Sequence, residues 1–420
     1  MMTADAPAPA APAQSISPPP EANADHVPDA TEKVPARNTR GLMGQLSEMT
    51  PEVEVLLLSA RLHPPPEAVA RLAELLGGAR GPLQWNTLLA YAERQAVLAL
   101  LCYAMRRVAA LQPHVVPQDV LSYLNARFLL GAAHNMQLTG ELVALLDLLR
   151  ERGIPAIPYK GPVVAQAAYG TLALRPFYDL DILVHARDLE RVHRLLVARG
   201  YEKEFHATHD EAEYAYKYVA EFATVEVHWD VLPRHYASPL NIEEMWGRLR
   251  PLHFVGRDVL APSPEDLMLL LCLHGYKHRW NRLEWIACLA ELARKEESLN
   301  WERLLRRATR TGGRRMLFLG LQLARELVGA QLPDFVVRAI DKERGVPLLV
   351  QASRQALSLA IFESEGGAEF TEGEGWSFFH LKARERLRDK ARYLAGFAVT
   401  PGQFDWRTWL RPRDDERDNQ

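Results

Sequence analysis

Two aspartates that are separated by one residue, Asp179 and Asp181, open an apolar run that ends at Val184. The run has the length and composition of a short strand, and successive side chains of a strand point to opposite faces. Asp179 and Asp181 would therefore share one face, while Leu180 and Ile182 are available for burial on the other. Two carboxylates held this close repel each other unless a cation lies between them, and that cation is usually a divalent metal ion. The pair is thus a candidate magnesium site.

A second acidic segment lies further along the chain, over residues 222–230. Polar and apolar side chains alternate there, which predicts a strand with Glu226, His228 and Asp230 on one face. A glutamate in mid-strand is costly to bury unless it is paired or bound to a metal ion. Either Glu226 or Asp230 would complete a set of three carboxylates, which two-metal phosphoryl or nucleotidyl transfer requires. His228 could orient an acid or act as a base, and a structural hydrogen bond is the alternative.

A lysine and a glycine, Lys160-Gly161, lie upstream of the acids, where a predicted strand over 154–159 meets a predicted helix over 163–169. Glycine lets backbone amides approach an anion closely, and a helix N-terminus supplies positive potential. Lys160 could add a point charge on a phosphate, or it could be a solvated turn residue. Arg175 could clamp a phosphate or pair with the acids when no metal is bound.

These residues together resemble the uncharacterised bacterial nucleotidyltransferase family of the DNA polymerase beta-like superfamily. The resemblance covers most of residues 50–400. It is carried by Lys160-Gly161, Tyr169, Arg175, Asp179-Leu-Asp181-Ile-Leu-Val184, Gly200-Tyr201, Glu226-Val-His228-Trp229 and the segment from Leu273 to Ile286.

The resemblance implies a palm-type core in which Asp179, Asp181 and Glu226 bind Mg²⁺, or Mn²⁺ in its place. It also implies a nucleoside triphosphate as co-substrate. The sequence departs from the pattern at two points. Gly-Ser usually precedes the acidic strand, and Lys160-Gly161 stands here at a longer distance from the acids. An acid often follows Trp-Ile-Ala, and Cys288 occupies that position.

Further polar residues follow in the segment after Leu273. His274 and His278 are four residues apart, which places both imidazoles on one face of a helix. Packing, or hydrogen bonding toward the active cleft, is favoured over a zinc site, because Cys288 would lie ~21 Å from His274 along a continuous helix. His274, Lys277 and His278 could instead line the nucleotide pocket. Trp280 and Trp285 are candidates for stacking on a base or for the core.

Composition excludes several classes of protein. The net charge of −3 gives no basic footprint, so an extended nucleic-acid surface is not expected. The three cysteines show no close spacing pattern, which favours a reducing compartment. No apolar run is long enough to span a membrane, and the first residues do not have the pattern of a secretory signal. The sequence therefore predicts a cytoplasmic protein without membrane segments.

The chain is predicted to have an α+β fold, in which a small palm-type nucleotidyltransferase sheet core is embedded between mostly helical N- and C-terminal segments. Eight of the 28 prolines fall within residues 1–40, which indicates a disordered tail. The predicted divisions are a Pro/Ala-rich tail over 1–42, a helical segment over 43–152, the sheet core over 153–235, a mainly helical region over 236–410 and a charged tail over 411–420. Within them the sequence predicts one long helix from Pro117 to Arg152 with Gly153 as its C-terminal cap, a helix over 189–198, and a helix that Ser263 caps at its N-terminus.

The functional hypothesis is a metal-dependent enzyme that moves a nucleoside monophosphate from a triphosphate to an unidentified acceptor. ATP is the expected donor, and the acceptor is a hydroxyl or phosphate group of a small molecule or protein. Asp179, Asp181 and Glu226 would hold the metal, and Lys160, Gly161, Arg175, His228 and Lys277 would bind the nucleotide. The alternative is a nucleotide-binding regulatory protein with the same fold and little or no turnover.

Overall fold

The computed structural model describes residues 49–204, 214–233, 236, 240–295, 299–362 and 378–399. The tails predicted over 1–42 and 411–420 lie outside these residues. Within them the chain is a mixed α+β protein, which confirms the predicted fold class. None of the described helices is both long and apolar enough to cross a membrane.

The larger sheet contains five strands: β1 (Ala156–Pro158), β2 (Leu180–Val184), β3 (Glu202–Lys203), β4 (Ala215–Ala220) and β5 (Ala223–His228). Their spatial order is β1-β2-β5-β4-β3. Strands β2 and β5 are parallel neighbours, and the other neighbouring pairs are antiparallel. Two helices complete this unit, α6 (Gly161–Tyr169) after β1 and α7 (Leu189–Ala198) after β2. The predictions of strands at 180–184 and in 222–229, and of both helices, are confirmed.

From residue 49 onward, where the described part of the chain begins, five helices precede the sheet: α1 (Pro51–Ser59), α2 (Pro66–Leu76), α3 (Trp85–Arg94), α4 (Leu98–Leu111) and α5 (Gln118–Glu151). The Thr50 side chain caps α1 by accepting a hydrogen bond from the Val53 amide at 3.4 Å. Gly153 follows α5 with a φ of +64°, the left-handed conformation that glycine adopts at helix C-termini. The predicted long helix ending before Gly153 is confirmed.

The chain after the sheet is mainly helical. Its helices are α8 (Ile242–Trp246), α9 (Pro264–Lys277), α10 (Leu283–Arg294), α11 (Trp301–Thr311), α12 (Arg314–Val328), α13 (Asp334–Asp341), α14 (Val346–Phe362), α15 (Phe378–Ala383) and α16 (Leu387–Val399). Ser263 caps α9, because its hydroxyl accepts a hydrogen bond from the Asp266 amide at 3.3 Å. The predicted helix start at Ser263 is therefore confirmed.

An antiparallel hairpin, β6 (Arg250–Phe254) and β7 (Arg257–Ala261), precedes α9 and was not predicted from the sequence. Its turn places Val255 and Gly256 at φ values of +50° and +75°. Such turns normally carry Asn-Gly or Asp-Gly, and a β-branched valine is unfavourable there. The sequence consequently lacks the usual hairpin signal at this point.

Two hydrophobic clusters hold the described residues together. One joins α5 and α7 to the face of the sheet that carries Leu180, Ile182 and Val225. The other contains buried side chains from helices on both sides of the sheet in sequence, including Leu56 of α1 and Leu321 of α12. The helices before and after the sheet therefore share one core, and Leu183 of β2 belongs to it. Because Asp181 and Leu183 project from the same face of β2, the acidic face of the sheet is directed toward this core.

The turn between α9 and α10 is fixed by Trp280, which is fully buried. Arg279 and Trp280 adopt φ values of +53° and +59°, a conformation that costs non-glycine residues of order 1–3 kcal/mol each. The indole lies against Gly275 of α9 and Gly320 of α12, where an added Cβ would come within 2.5 and 2.6 Å of it. Burial of this ring offsets the strain, and the absence of side chains at both glycines makes the burial possible.

We expect Gly275→Ala to destabilise the protein by about 3 kcal/mol, because overpacking of a rigid indole forces the helices apart. Urea denaturation followed by circular dichroism measures the change. Gly140→Ala is the matched control: Gly140 also lies inside a helix, and an added Cβ there meets nothing within 4 Å. The control should be stabilising by up to ~1 kcal/mol. Equal effects at both glycines would contradict the role assigned to Trp280.

Candidate active site

The register of two parallel strands brings the second aspartate and the glutamate together. Asp181 of β2 pairs with Glu226 of β5, and Leu183 pairs with His228. Neighbouring strands lie ~4.8 Å apart, so register partners project side by side from the same face. The local sequences favour this arrangement because Val225 and Val227, which alternate with the polar residues of β5, are buried on the opposite face.

The side chain of His228 lies between the two acids. Its Nε2 atom is 3.0 Å from Oδ1 of Asp181 and 3.2 Å from Oε2 of Glu226. One ligand atom from each of the three residues lies within 4.8 Å of the others, and this trio is the one candidate metal-binding group among the described residues. Carboxylate oxygens and an imidazole nitrogen are ordinary ligands of divalent ions. The trio therefore fits a divalent metal ion.

Lys160 forms an ion pair with Asp181. Its Nζ atom is 2.8 Å from Oδ1 of Asp181, and the side chain is mostly buried. The residue lies between β1 and α6, where Gly161 has a φ of +46°. An added Cβ at Gly161 would approach the carbonyl oxygen of Asp179 to 3.4 Å. The glycine thus lets the lysine turn pack against the backbone of the acidic segment.

The first aspartate, Asp179, immediately precedes β2 and is outside the close trio. It is still part of the same electrostatic site. Burial raises the pKa of Asp179 to about 6, and the neighbouring carboxylates of Asp181 and Glu226 add to the effect. Asp230, the alternative third acid, lies beyond the end of β5 and is also outside the trio. The structure therefore places Glu226, rather than Asp230, beside Asp181.

The two acids of the trio and the cations His228 and Lys160 each shift the pKa of the other toward the charged form. Burial favours the neutral carboxylic acid of Asp181, but Lys160 and His228 outweigh it and hold the pKa of Asp181 below its usual value. Burial is the largest single effect on the pKa of Glu226 and raises it, but the hydrogen bond from His228, together with the charges of His228 and Lys160, lowers the pKa overall. Burial alone would lower the pKa values of His228 and Lys160, whereas the acids raise both. Asp181 and Glu226 are thus anions stabilised by two protein cations.

Arg175 forms an ion pair that was not predicted from the sequence, where a phosphate or the acids Asp179 and Asp181 were the expected partners. Its Nε atom is 2.5 Å from Oε1 of Glu284 on α10, and both side chains are buried. Its Nη1 atom donates to the carbonyl oxygen of Gly161 at 3.4 Å. Arg175 therefore ties the lysine turn to the C-terminal helices rather than pairing with Asp179 or Asp181. Glu284 was not among the predicted site residues; its signal in the sequence was an acid within the apolar stretch that follows Leu283.

Two aromatic residues outside the set of predicted site residues pack around His228. The ring of Tyr159 meets the imidazole edge-to-face at a centroid distance of 5.2 Å, and the ring of Tyr214 is tilted against it at 5.7 Å. Lys277 Nζ donates a hydrogen bond to the Tyr214 hydroxyl at 2.9 Å. The structure thus brings Lys277 to the site through Tyr214, although the two residues are far apart in sequence.

His274 of α9 and His278, which directly follows that helix, do not belong to a candidate metal-binding group among the described residues. The rings of His274 and His278 pack against Trp285 at centroid distances of 4.7 and 5.2 Å. Burial raises the pKa of the Cys288 thiol to about 12, so it remains protonated. Trp280 and Trp285 are both buried, which favours the core role for each of them.

Comparison with known proteins adds one finding to this geometry. A family model described as an uncharacterised nucleotidyltransferase matches residues 81–329. The matched segment is more than half of the chain of 420 residues and contains Lys160, Arg175, the trio and Lys277. No curated protein matches the chain.

The contact between Arg175 and Glu284 should behave as a buried ion pair. We expect Arg175→Met and Glu284→Leu each to destabilise the protein by about 3–5 kcal/mol, because each leaves one buried charge without its partner. The double variant should be more stable than either single variant. Urea denaturation of all four proteins gives the coupling energy. Glu302→Gln, which breaks the exposed pair with Arg306, should leave the midpoint almost unchanged. Additive single effects would show that the two side chains do not interact.

Proposed function

The chain belongs to the family of uncharacterised nucleotidyltransferases, and on this premise we propose that it transfers a nucleoside monophosphate from a nucleoside triphosphate to a hydroxyl or phosphate acceptor. ATP is the proposed donor. The acceptor oxygen forms a bond to the α-phosphorus, and the bond from that phosphorus to the oxygen bridging it to the β-phosphate breaks. Pyrophosphate leaves with the bonding electrons, and the proton of a hydroxyl acceptor passes to water.

The observation that carries this proposal is the placement of Asp181 beside Glu226 on a buried face, with Asp179 close enough to raise the charge density further. Mg²⁺ or Mn²⁺ bound there would neutralise the phosphates and the leaving pyrophosphate. The chain's own contribution is to hold the acids on two registered strands. Their positions are then fixed before the substrate arrives, which lowers the cost of reorganisation during the reaction.

Lys160 has a second role in this proposal. Its ammonium group pairs with Asp181 and is therefore an internal substitute for part of the metal charge. Binding of a divalent ion would release Lys160, which lies at the N-terminus of α6 and could then contact a phosphate. Lys277, which follows the sheet in sequence and contacts the Tyr214 hydroxyl, is the second proposed phosphate contact.

The contacts of Asp181 with Lys160 and His228 also favour a second function. Asp181 is already neutralised by Lys160 and His228, so the acids do not depend on a metal ion for their stability. A nucleotide-binding regulatory protein would need no more than this arrangement. It would bind ATP and a divalent ion in calorimetry and form no product.

The transfer reaction can be tested with α-labelled ATP, Mg²⁺ or Mn²⁺, and a panel of small-molecule and protein acceptors. We expect labelled product from the native protein and a loss of at least ~100-fold in rate for Asp181→Asn, because the variant removes an anionic ligand from the site. Asp258→Asn, an exposed aspartate on β7, is the control and should retain the native rate. ATP binding without any labelled product would favour the regulatory function, and a fully active Asp181→Asn protein would contradict the assigned site.

The proposed exchange at Lys160 predicts opposite effects on two ligands. Lys160→Met should bind Mn²⁺ alone roughly five- to tenfold more tightly, because a competing cation has been removed from Asp181. The same variant should bind ATP in the presence of metal more weakly, because it lacks a phosphate contact. Isothermal titration calorimetry measures both affinities, with the exposed Lys342→Met as control. Parallel changes in the two affinities would rule out the exchange.

A further inference from the structure

We propose that His228 is a direct nitrogen ligand of the catalytic metal ion and that the site consequently prefers a first-row transition-metal ion to Mg²⁺. This inference rests on the metal dependence of the proposed function and deepens it. The ligand set would be one oxygen of Asp181, one oxygen of Glu226 and Nε2 of His228. Asp179 lies outside this trio, and it would contribute negative charge near the ion rather than a ligand atom.

The positions of the three ligand atoms carry the proposal. Two ligands in adjacent positions around an ion with bonds of ~2.1 Å are ~3 Å apart. The Nε2 atom of His228 is 3.0 Å from the ligand oxygen of Asp181 and 3.2 Å from that of Glu226. A small ion could therefore take the place of the proton on Nε2, which passes to solvent, and engage the imidazole together with either carboxylate while the side chains shift little.

The imidazole is also fixed in this orientation by its surroundings. His228 is 1% exposed, and its backbone is held in β5 between β2 and β4. Tyr159 and Tyr214 pack on its ring. A ligand whose ring is confined in this way loses little side-chain entropy when it binds a metal ion, because its rotamer is set in the absence of the ion.

The chemistry of the ligand set then decides between ions. Mg²⁺ strongly prefers oxygen ligands and usually keeps several waters. Imidazole nitrogen gains affinity along the first-row series, from Mn²⁺ upward. A site with two carboxylate oxygens and one nitrogen should thus discriminate against Mg²⁺, whereas a site made of three carboxylates would accept it readily.

Mn²⁺ bound to tag-free native protein provides a test that does not depend on activity. Pulsed electron paramagnetic resonance should show coupling of the ion to a histidine ¹⁴N, and the pattern should change in protein grown with ¹⁵N-histidine. In competition experiments the native protein should bind Mn²⁺ at least ~10-fold more tightly than Mg²⁺. Because these measurements use the native protein, they stand even if a variant at this buried position fails to fold.

His228→Gln then assigns the coupling to one residue. The variant should lose the nitrogen coupling and bind Mn²⁺ ~10–100-fold more weakly, while its affinity for Mg²⁺ changes little. His253→Gln, an exposed histidine on β6, should retain both native properties. Mn²⁺ with oxygen couplings only in the native protein, or unchanged coupling in His228→Gln, would overturn the proposal.

The outcomes separate this inference from the proposed function. A nitrogen-coupled ion in a protein that transfers no label would leave the ligand assignment intact and reject the enzymatic role. Label transfer with an ion bound only through oxygen would support the enzymatic role and reject His228 as a ligand.

Discussion

The repulsion between Asp181 and Glu226 is the constraint on which the rest of the site depends. Parallel pairing of β2 with β5 makes the two acids neighbours on a face that is directed toward a hydrophobic core. Such a pair is tolerated only when cations lie within a few ångströms, since burial removes the screening of water. Lys160 and His228 supply that compensation from within the chain.

The same requirement explains why distant parts of the chain meet here. Lys160 reaches Asp181 because its turn is packed against the backbone of Asp179 and bound to Arg175. Arg175 is held in turn by Glu284 on α10, and Lys277 lies at the C-terminus of α9. The buried Trp280 fixes the turn between these two helices. The positions of Lys160 and Lys277 are therefore set by packing in the helical core.

The sequence was sufficient to predict the elements that follow strong local rules. The alternation around Asp181 and Glu226 identified their strands, and Ser263 and Gly153 marked helix ends that the structure confirms. Contacts that depend on tertiary packing were not predictable in this way. Glu284 has no local pattern that connects it to Arg175, and no spacing rule places His228 closer than Asp179 to the other ligand atoms. The hairpin turn at Val255 was missed because its residue type disagrees with its backbone conformation.

The core shared by helices from both ends of the described chain has a consequence for biosynthesis. β2 and β5 leave the ribosome before α9 and α10 exist, and Glu284 is synthesised about 110 residues after Arg175. During that interval the arginine lacks its ion-pair partner, and the acidic face of the sheet lacks the helices that follow it in sequence. The nascent sheet would thus expose apolar surface and strand edges, the features that recruit chaperones and promote aggregation. The acidic centre consequently assumes its final form only after Glu284 has been synthesised, although its acids are synthesised before the middle of the chain or soon after it.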